Sequence, residues 1–198
     1  MAHRFIAFMK KMISRWQLPF NFNAARLQTD ARVFAPDEWT PHFNVHTYSG
    51  DWSVVALRAA KGAVVAIYPD PFAKDGYENT AQMSRCAYVP EILAALQCET
   101  TSARFLKLGA GAEIRRHRDY QLGLEDGEVR LHIPVFTNPQ VVFLLDDVRV
   151  EMREGETWYL NVNFFHSVTN NSPQDRIHLV IDCVVNDWLR AFFPSEDI

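Results

Sequence analysis

From residue 103 onward, short apolar runs alternate with turn residues. Stretches 103–108, 113–120, 129–137, 141–145, 148–152, 157–162, 165–169 and 177–185 read as strands. Between them stand Gly109 and Gly111, Asn138-Pro139, Asp146-Asp147, residues 153–156 and Asn170-Asn171-Ser172-Pro173. Gly, Asn, Asp and Pro punctuate strands because they accept turn dihedrals or remove a ladder donor. Many short strands at this spacing predict a mainly β fold, a sandwich or barrel of jelly-roll type. Asn186 is placed to cap a short final helix running to Phe193.

Upstream the pattern is more mixed. Residues 53–60 and 63–68 read as strands paired around Gly62. Residues 69–79 form a polar loop long enough for a lid. Pro90 suits the first turn of a short helix over 91–97. Residues 20–48 read as loops and short strands around Pro36 and Pro41. Residues 1–29 carry Arg4, Lys10, Lys11, Arg15 and Arg26 and no acid. Phe5, Ile6, Met9, Met12, Ile13 and Trp16 recur there at helical spacing, which predicts an amphipathic basic helix ending before Pro19. Lys10 and Lys11 interrupt its apolar stretch, so it does not read as a signal peptide. Such a helix docks on its own domain or lies on an anionic membrane surface or a partner. The expected organisation is one domain: residues 1–102 supply helix, strands and lid packing on a β core at 103–198.

Composition narrows the class. The 198 residues are 48% hydrophobic and 22% charged, which excludes a disordered, collagenous or coiled-coil chain. No apolar run reaches the ~18–20 residues of a membrane-spanning helix. A net charge of −4 gives no general attraction to nucleic acid. Cys86, Cys98 and Cys183 are an odd number without a CxxC pair. That argues against a secreted disulfide framework and a zinc ribbon, and fits a cytoplasmic protein with three small apolar side chains.

The candidate chemistry lies among the seven histidines. In His117-Arg118-Asp119, positions i and i+2 of a strand share a face. His166 follows two phenylalanines near a strand end, and Arg176 lies ten residues beyond it across a turn. Two histidines and one carboxylate make a 2-His-1-carboxylate triad, which leaves positions open on Fe(II) for a bidentate 2-oxoacid and O2. A guanidinium near the second histidine suits the far carboxylate of 2-oxoglutarate. Arg115, two before His117, is a candidate for a substrate carboxylate, and Asn163 for a substrate contact. His178 shares a face with Arg176 and is the best candidate among His42, His46 and His178 for supporting the site. Trp39, Phe43, Tyr48, Trp52 and Tyr68 suit either a substrate pocket or the core.

Several motifs together resemble the aspartyl/asparaginyl β-hydroxylase family of Fe(II)/2-oxoglutarate dioxygenases. They are His117-Arg118-Asp119, Arg130-Leu131-His132-Ile133-Pro134, Gly155-Glu156-Thr157-Trp158, His166 to Asn170 and Asp175 to Asp182. Tyr48 to Trp52 is a weaker echo. The resemblance spans about residues 103–185 and implies a double-stranded β-helix fold with flanking N- and C-terminal helices. It implies that His117, Asp119 and His166 ligate iron and that Arg176 binds the distal carboxylate of 2-oxoglutarate. It places Arg130 and His132 near co-substrate or substrate carboxylates. The implied reaction hydroxylates an unactivated C–H of an amino acid or amino-acid residue while 2-oxoglutarate becomes succinate and CO2. Animal members of the family lack the carboxylate ligand, carry a helical-repeat region and act on disulfide-rich domains. Bacterial relatives hydroxylate free amino acids such as proline, or tethered ones. Asp119 also argues against a halogenase, which needs that coordination position for halide. Two other readings remain at this point: a non-catalytic cupin-like binding or sensory protein that keeps a metal, and a zinc hydrolase. Arg176 has no evident task in the hydrolase.

Overall fold

The computed structural model describes residues 12–63, 65–67 and 73–194. Two antiparallel sheets face each other. The larger runs β1 (Arg15–Asn21), β11 (Glu156–Leu160), β8 (Glu128–Phe136), β13 (Arg176–Val184), β6 (Thr100–Leu108), β4 (Trp52–Ala60) and β2 (Thr40–Pro41). A further strand, β5 (Tyr77–Asn79), pairs with β4. The smaller sheet runs β10 (Val148–Arg149), β9 (Val141–Leu145), β12 (His166–Asn170), β7 (Glu113–His117) and β3 (Tyr48–Ser49). The arrangement is the expected jelly roll, flanked by the helices α1 (Ala24–Arg32), α2 (Val89–Ala95) and α3 (Asp187–Arg190).

Side-chain alternation sorts the large sheet into two faces. On β13, Ile177, Leu179, Ile181 and Cys183 join Leu131, Ile133 and Phe105 in an outer core that also takes Leu27, Ile92 and Leu189 from the three helices. The other face turns to the second sheet. It carries Arg176, His178, Val180 and Asp182, all buried. Both faces of β13 are therefore covered, which is why the strand reads as a continuous apolar run broken by a few charges. Between the sheets, Leu108, Phe143, Leu145, Leu160 and Val168 form a second core.

The hairpin expected at Asp146-Asp147 is present, with both residues at positive φ (52° and 58°), as a tight two-residue turn requires. Gly155 has φ +83°, and a Cβ there would lie 2.2 Å from the Phe22 carbonyl oxygen. Its lack of a side chain lets β1 close against this turn.

Three upstream expectations are corrected. Residues 15–21 are a strand, not the end of a basic helix. They pair with β11 from Arg15 opposite Leu160 to Asn21 opposite Glu156. Pro19 is tolerated because β1 is an edge strand. The rest of the expected helix, residues 1–11, lies outside the described residues. Next, the partner of β4 across Gly62 is β5, while residues 65–67 form bends and turns. Of the expected lid, residues 69–72 lie outside the described residues, and its end is the strand β5. Finally, residues 24–32 are a helix where loops were expected. Asn23 caps it, its side-chain oxygen accepting from the Arg26 N–H at 3.1 Å. Leu27 and Ala31, one turn apart, are buried against the sheet. Among the described residues no helix is long and apolar enough to cross a membrane.

Candidate metal centre

His117 ends β7 and His166 begins β12, and the two are direct partners across that antiparallel pair. Their rings lie 4.2 Å apart between centroids. Asp119 follows the end of β7, fixed by its N–H donating to the Val162 carbonyl at 2.9 Å. One ligand atom from each of the three falls within 4.8 Å of the others. Asp119 Oδ1 stands 3.9 Å from His117 Nε2.

Both imidazoles are oriented for coordination. The Nδ1 of His117 meets the Arg115 carbonyl at 2.8 Å, and that of His166 meets the Phe164 carbonyl at 3.1 Å. A carbonyl only accepts, so each Nδ1 carries the proton and each Nε2 presents its lone pair. Burial, followed by His117, pushes His166 down to about 4, so it stays neutral as a ligand must. Burial works to raise the Asp119 carboxyl, but Arg130 and the two histidines outweigh it and hold the group ionised. The donor set fits a divalent ion with open positions.

The triad opens into a cavity of about 380 Å³. Arg130, His132 and Arg176 line it from the large sheet, and Phe143, Leu122 and Val168 supply apolar wall. Arg130 is fully engaged. Its Nε and Nη2 donate to the two oxygens of Asp182 at 2.7 and 3.0 Å, and its Nη1 donates to Asp119 Oδ2. Arg104 adds a second cation on Asp182, at 3.0 Å. These two arginines outweigh the effect of burial and hold the Asp182 carboxyl well below the usual range.

Arg176 is the opposite case. It is 2% exposed, and among the described residues no carboxylate pairs with it. Its Nη2 donates to His178 Nδ1 at 2.7 Å, while its Nε is buried with no partner. Burial alone pushes this guanidinium down to about 9. Burial, then Arg176, keeps His132 and His178 neutral. His132 Nε2 is also buried without a partner. The cavity is thus lined by a cation that has no carboxylate partner among the described residues and by a neutral imidazole.

Two expected site residues are elsewhere. Between its pairings with His166 and Val168, β7 spends three residues against two on β12. This bulge interrupts the alternation, so Ile114 and His117 turn inward and Arg115 and Arg116 both turn out. Arg115 is exposed and donates to the His46 carbonyl at 3.0 Å. Asn163 donates to Asp126 at 2.7 Å and ties two loops together, away from the cavity lining.

Arg104 and Asp182 join the surroundings of the site without having been expected there, whereas His42, Phe43 and Trp52 are among the sequence's candidates. Arg104 in β6 and Asp182 in β13 are charges with apolar residues on both sides, and that is the signal that marks a buried pair. His42 lines the cavity, its ring 3.5 Å between centroids from Trp52 and nearly parallel to it. Burial, aided by Arg104, pushes His42 down to about 4. Phe43 and Trp52 line the cavity as well, whereas Trp39 belongs to the outer core.

The comparisons agree with this geometry. A family model described as Aspartyl/Asparaginyl beta-hydroxylase matches residues 22–185. The L-proline cis-4-hydroxylase of Rhizobium meliloti (strain 1021) is 26% identical over 182 residues, 89% of this chain and 62% of that protein. The chain therefore spans less than two thirds of the length of this curated relative. An oxidoreductase of the 2OG-Fe(II) oxygenase family from Burkholderia pseudomallei superposes with a TM-score of 0.54 at 13% identity, covering 86% of this chain and 84% of that one. A Pseudomonas putida prolyl-4-hydroxylase gives 0.52 at 15% identity, covering 87% and 93%. At such identities these structures establish the shared fold.

Proposed function

Because the chain belongs to the aspartyl/asparaginyl β-hydroxylase family, we propose that it is an Fe(II)/2-oxoglutarate-dependent dioxygenase that hydroxylates an unactivated C–H of a small amino-acid substrate. The observation that carries this reading is the unpaired, buried Arg176 in the same cavity as the His117, Asp119 and His166 triad. A bound ferrous ion with 2-oxoglutarate and O2 supplies the oxidant for hydroxylation, and the co-substrate leaves as succinate and CO2.

The chain's own residues set the conditions for that chemistry. His117 and His166 offer Nε2, and Asp119 offers Oδ1 to the ion. Arg176 is the counter-charge for the distal carboxylate of 2-oxoglutarate, and His178 orients it by accepting from Nη2. His132 lines the cavity beside them, its Nδ1 facing His178 Nδ1 at 3.4 Å. Arg130 serves the site by holding Asp119 and is saturated by its two carboxylates. Phe143, Leu122 and Val168 limit water around the reacting centre. Phe43, Trp52 and His42 form the wall left for substrate selection. The relative's substrate, L-proline, makes free amino acids the first class to offer. Three free cysteines suit a reducing cytoplasm.

The test is turnover of 2-oxoglutarate with Fe(II), ascorbate and O2, scored as succinate, across free amino acids and short Asp/Asn peptides. The hydroxylated product gains about 16 Da, one oxygen atom. Absence of succinate with every substrate supplied overturns the proposal.

A further inference from the structure

Asp182 lies outside the metal cavity, yet it is fully buried and ionised between two arginines. An acid in the middle of a strand is costly to bury, and the sheet does not need one there. Its surroundings show what it holds. Arg130 grips it with a two-pronged fork, Nε to one oxygen and Nη2 to the other. A guanidinium is planar and rigid, so fixing two of its nitrogens fixes the third. That third nitrogen, Nη1, donates to Asp119 Oδ2. Asp119 Oδ1 is the oxygen left facing His117 Nε2. Arg104 stands against Asp182 Oδ2 and also contacts Ser102, which blocks rotation of the carboxylate. The register places Asp182 opposite Arg130 on one side and Ser102 on the other, so the whole chain of contacts is built across three adjacent strands.

We propose that Asp182 is the positioning residue of the metal site: acting through Arg130, it fixes which oxygen of Asp119 is offered to the ion. Oδ2 is occupied by Arg130, so Asp119 binds through Oδ1 alone. Single-oxygen coordination keeps the remaining positions open for a chelating co-substrate. Without Asp182, Arg130 loses the fork that aims it, and Asp119 is free to turn or to bind through both oxygens. The inference rests on the metal-site reading above and adds a residue that touches neither metal nor substrate.

The experiment titrates the apoprotein with Co²⁺, following affinity and the visible d–d spectrum, alongside thermal unfolding without metal. Asp182→Asn keeps the shape and removes the charge. The expected result is a folded protein whose Co²⁺ affinity is lower by roughly 10- to 100-fold, the usual effect of losing a residue that orients a ligand. Its d–d spectrum also changes, because the coordination by Asp119 changes. A role confined to stability moves only the melting temperature and leaves the affinity and spectrum of the folded protein as in wild type. That outcome overturns the proposal. Asp182→Asn leaves two buried cations facing one carboxylate, so the double variant Asp182→Asn, Arg104→Met restores neutrality and carries the same test if the single variant does not fold. Wild-type affinity and spectrum in the double variant likewise overturn it. A wild-type protein that binds no Co²⁺ instead overturns the metal-site reading itself, a failure distinct from that of Asp182.

Discussion

Arg176 is a residue whose cost and use are separable. A buried guanidinium without a counter-charge loses several kcal/mol of hydration, of which the hydrogen bond to His178 returns only a part in the ligand-free protein. Methionine fills similar space without the charge. Arg176→Met is therefore expected to melt no lower than wild type in the absence of ligands. Its KM for 2-oxoglutarate should rise at least tenfold, since losing the charged partner of a buried carboxylate costs about 2–5 kcal/mol. Thermal unfolding and the succinate assay measure the two halves; a lower melting point with an unchanged KM contradicts the assignment. At this scale the triad was legible, because His117 and Asp119 sit two apart and the spacing of His166 and Arg176 survives in the linear chain. Arg104 and Asp182 were not, because their meaning arises only when β6, β8 and β13 align. Arg115 was misplaced for one reason: a single extra residue in β7 reverses the facing of what precedes it.

Among the elements, the β core was easy to read and the N-terminal third was not. Turn residues bracket each strand from 103 onward, and their chemistry is local. The helix α1 is short and carries only two apolar residues buried against the sheet, so its periodicity is faint. What holds it is a long-range bond set. Asp30, on its buried face, accepts from the N–H groups of Ala87, Tyr88 and Val89 at 2.9, 2.8 and 2.8 Å. These are donors at the start of α2 that no helical carbonyl satisfies. One carboxylate thus joins two helices and caps one of them. Asp30→Ala strands those donors and is expected to cost roughly 2–4 kcal/mol. Asp30→Asn keeps one accepting oxygen and should fall between Ala and wild type in chemical denaturation. Co²⁺ affinity should stay at the wild-type value in both variants, because Asp30 lies on the outer side of the large sheet. A change in metal affinity without a change in stability contradicts this placement. The strand at β1 was misread for a related reason. Phe5 to Trp16 has helical spacing, but the open edge of β11 offers Arg15 to Leu18 a ladder of backbone bonds, and Leu18 gains burial.

For the molecule as a whole, the large sheet carries charge on its inner face and the small sheet carries the two histidines. Arg104 and Arg130 stand against Asp119, Asp182 and the buried Glu128, whereas among the described residues Arg176 has no carboxylate beside it, so its charge is locally unbalanced. A divalent ion held by the triad would add two positive charges in the same cavity. On the proposed function, a dianionic 2-oxoacid would offset the ion's charge and place a carboxylate on Arg176. The proposed function then predicts an order of loading: the metal would find its three ligands ready in the free protein, and the co-substrate would gain most of its affinity once the ion is present. Each ligand that binds only the folded state adds about 2.7 kcal/mol of stability at one hundred times its Kd. For a domain of this size, 1 kcal/mol moves the melting temperature by roughly 2–4 °C. Mn²⁺, which does not turn over, should therefore raise the melting temperature by roughly 5–11 °C at such saturation. 2-Oxoglutarate should add a comparable increment with Mn²⁺ present and little without it. The second increment should vanish in Arg176→Met while the first remains. If 2-oxoglutarate stabilises the metal-free protein as strongly, or stabilises Arg176→Met as it does wild type, then the unbalanced charge of Arg176 and the bound ion are not what recruit it.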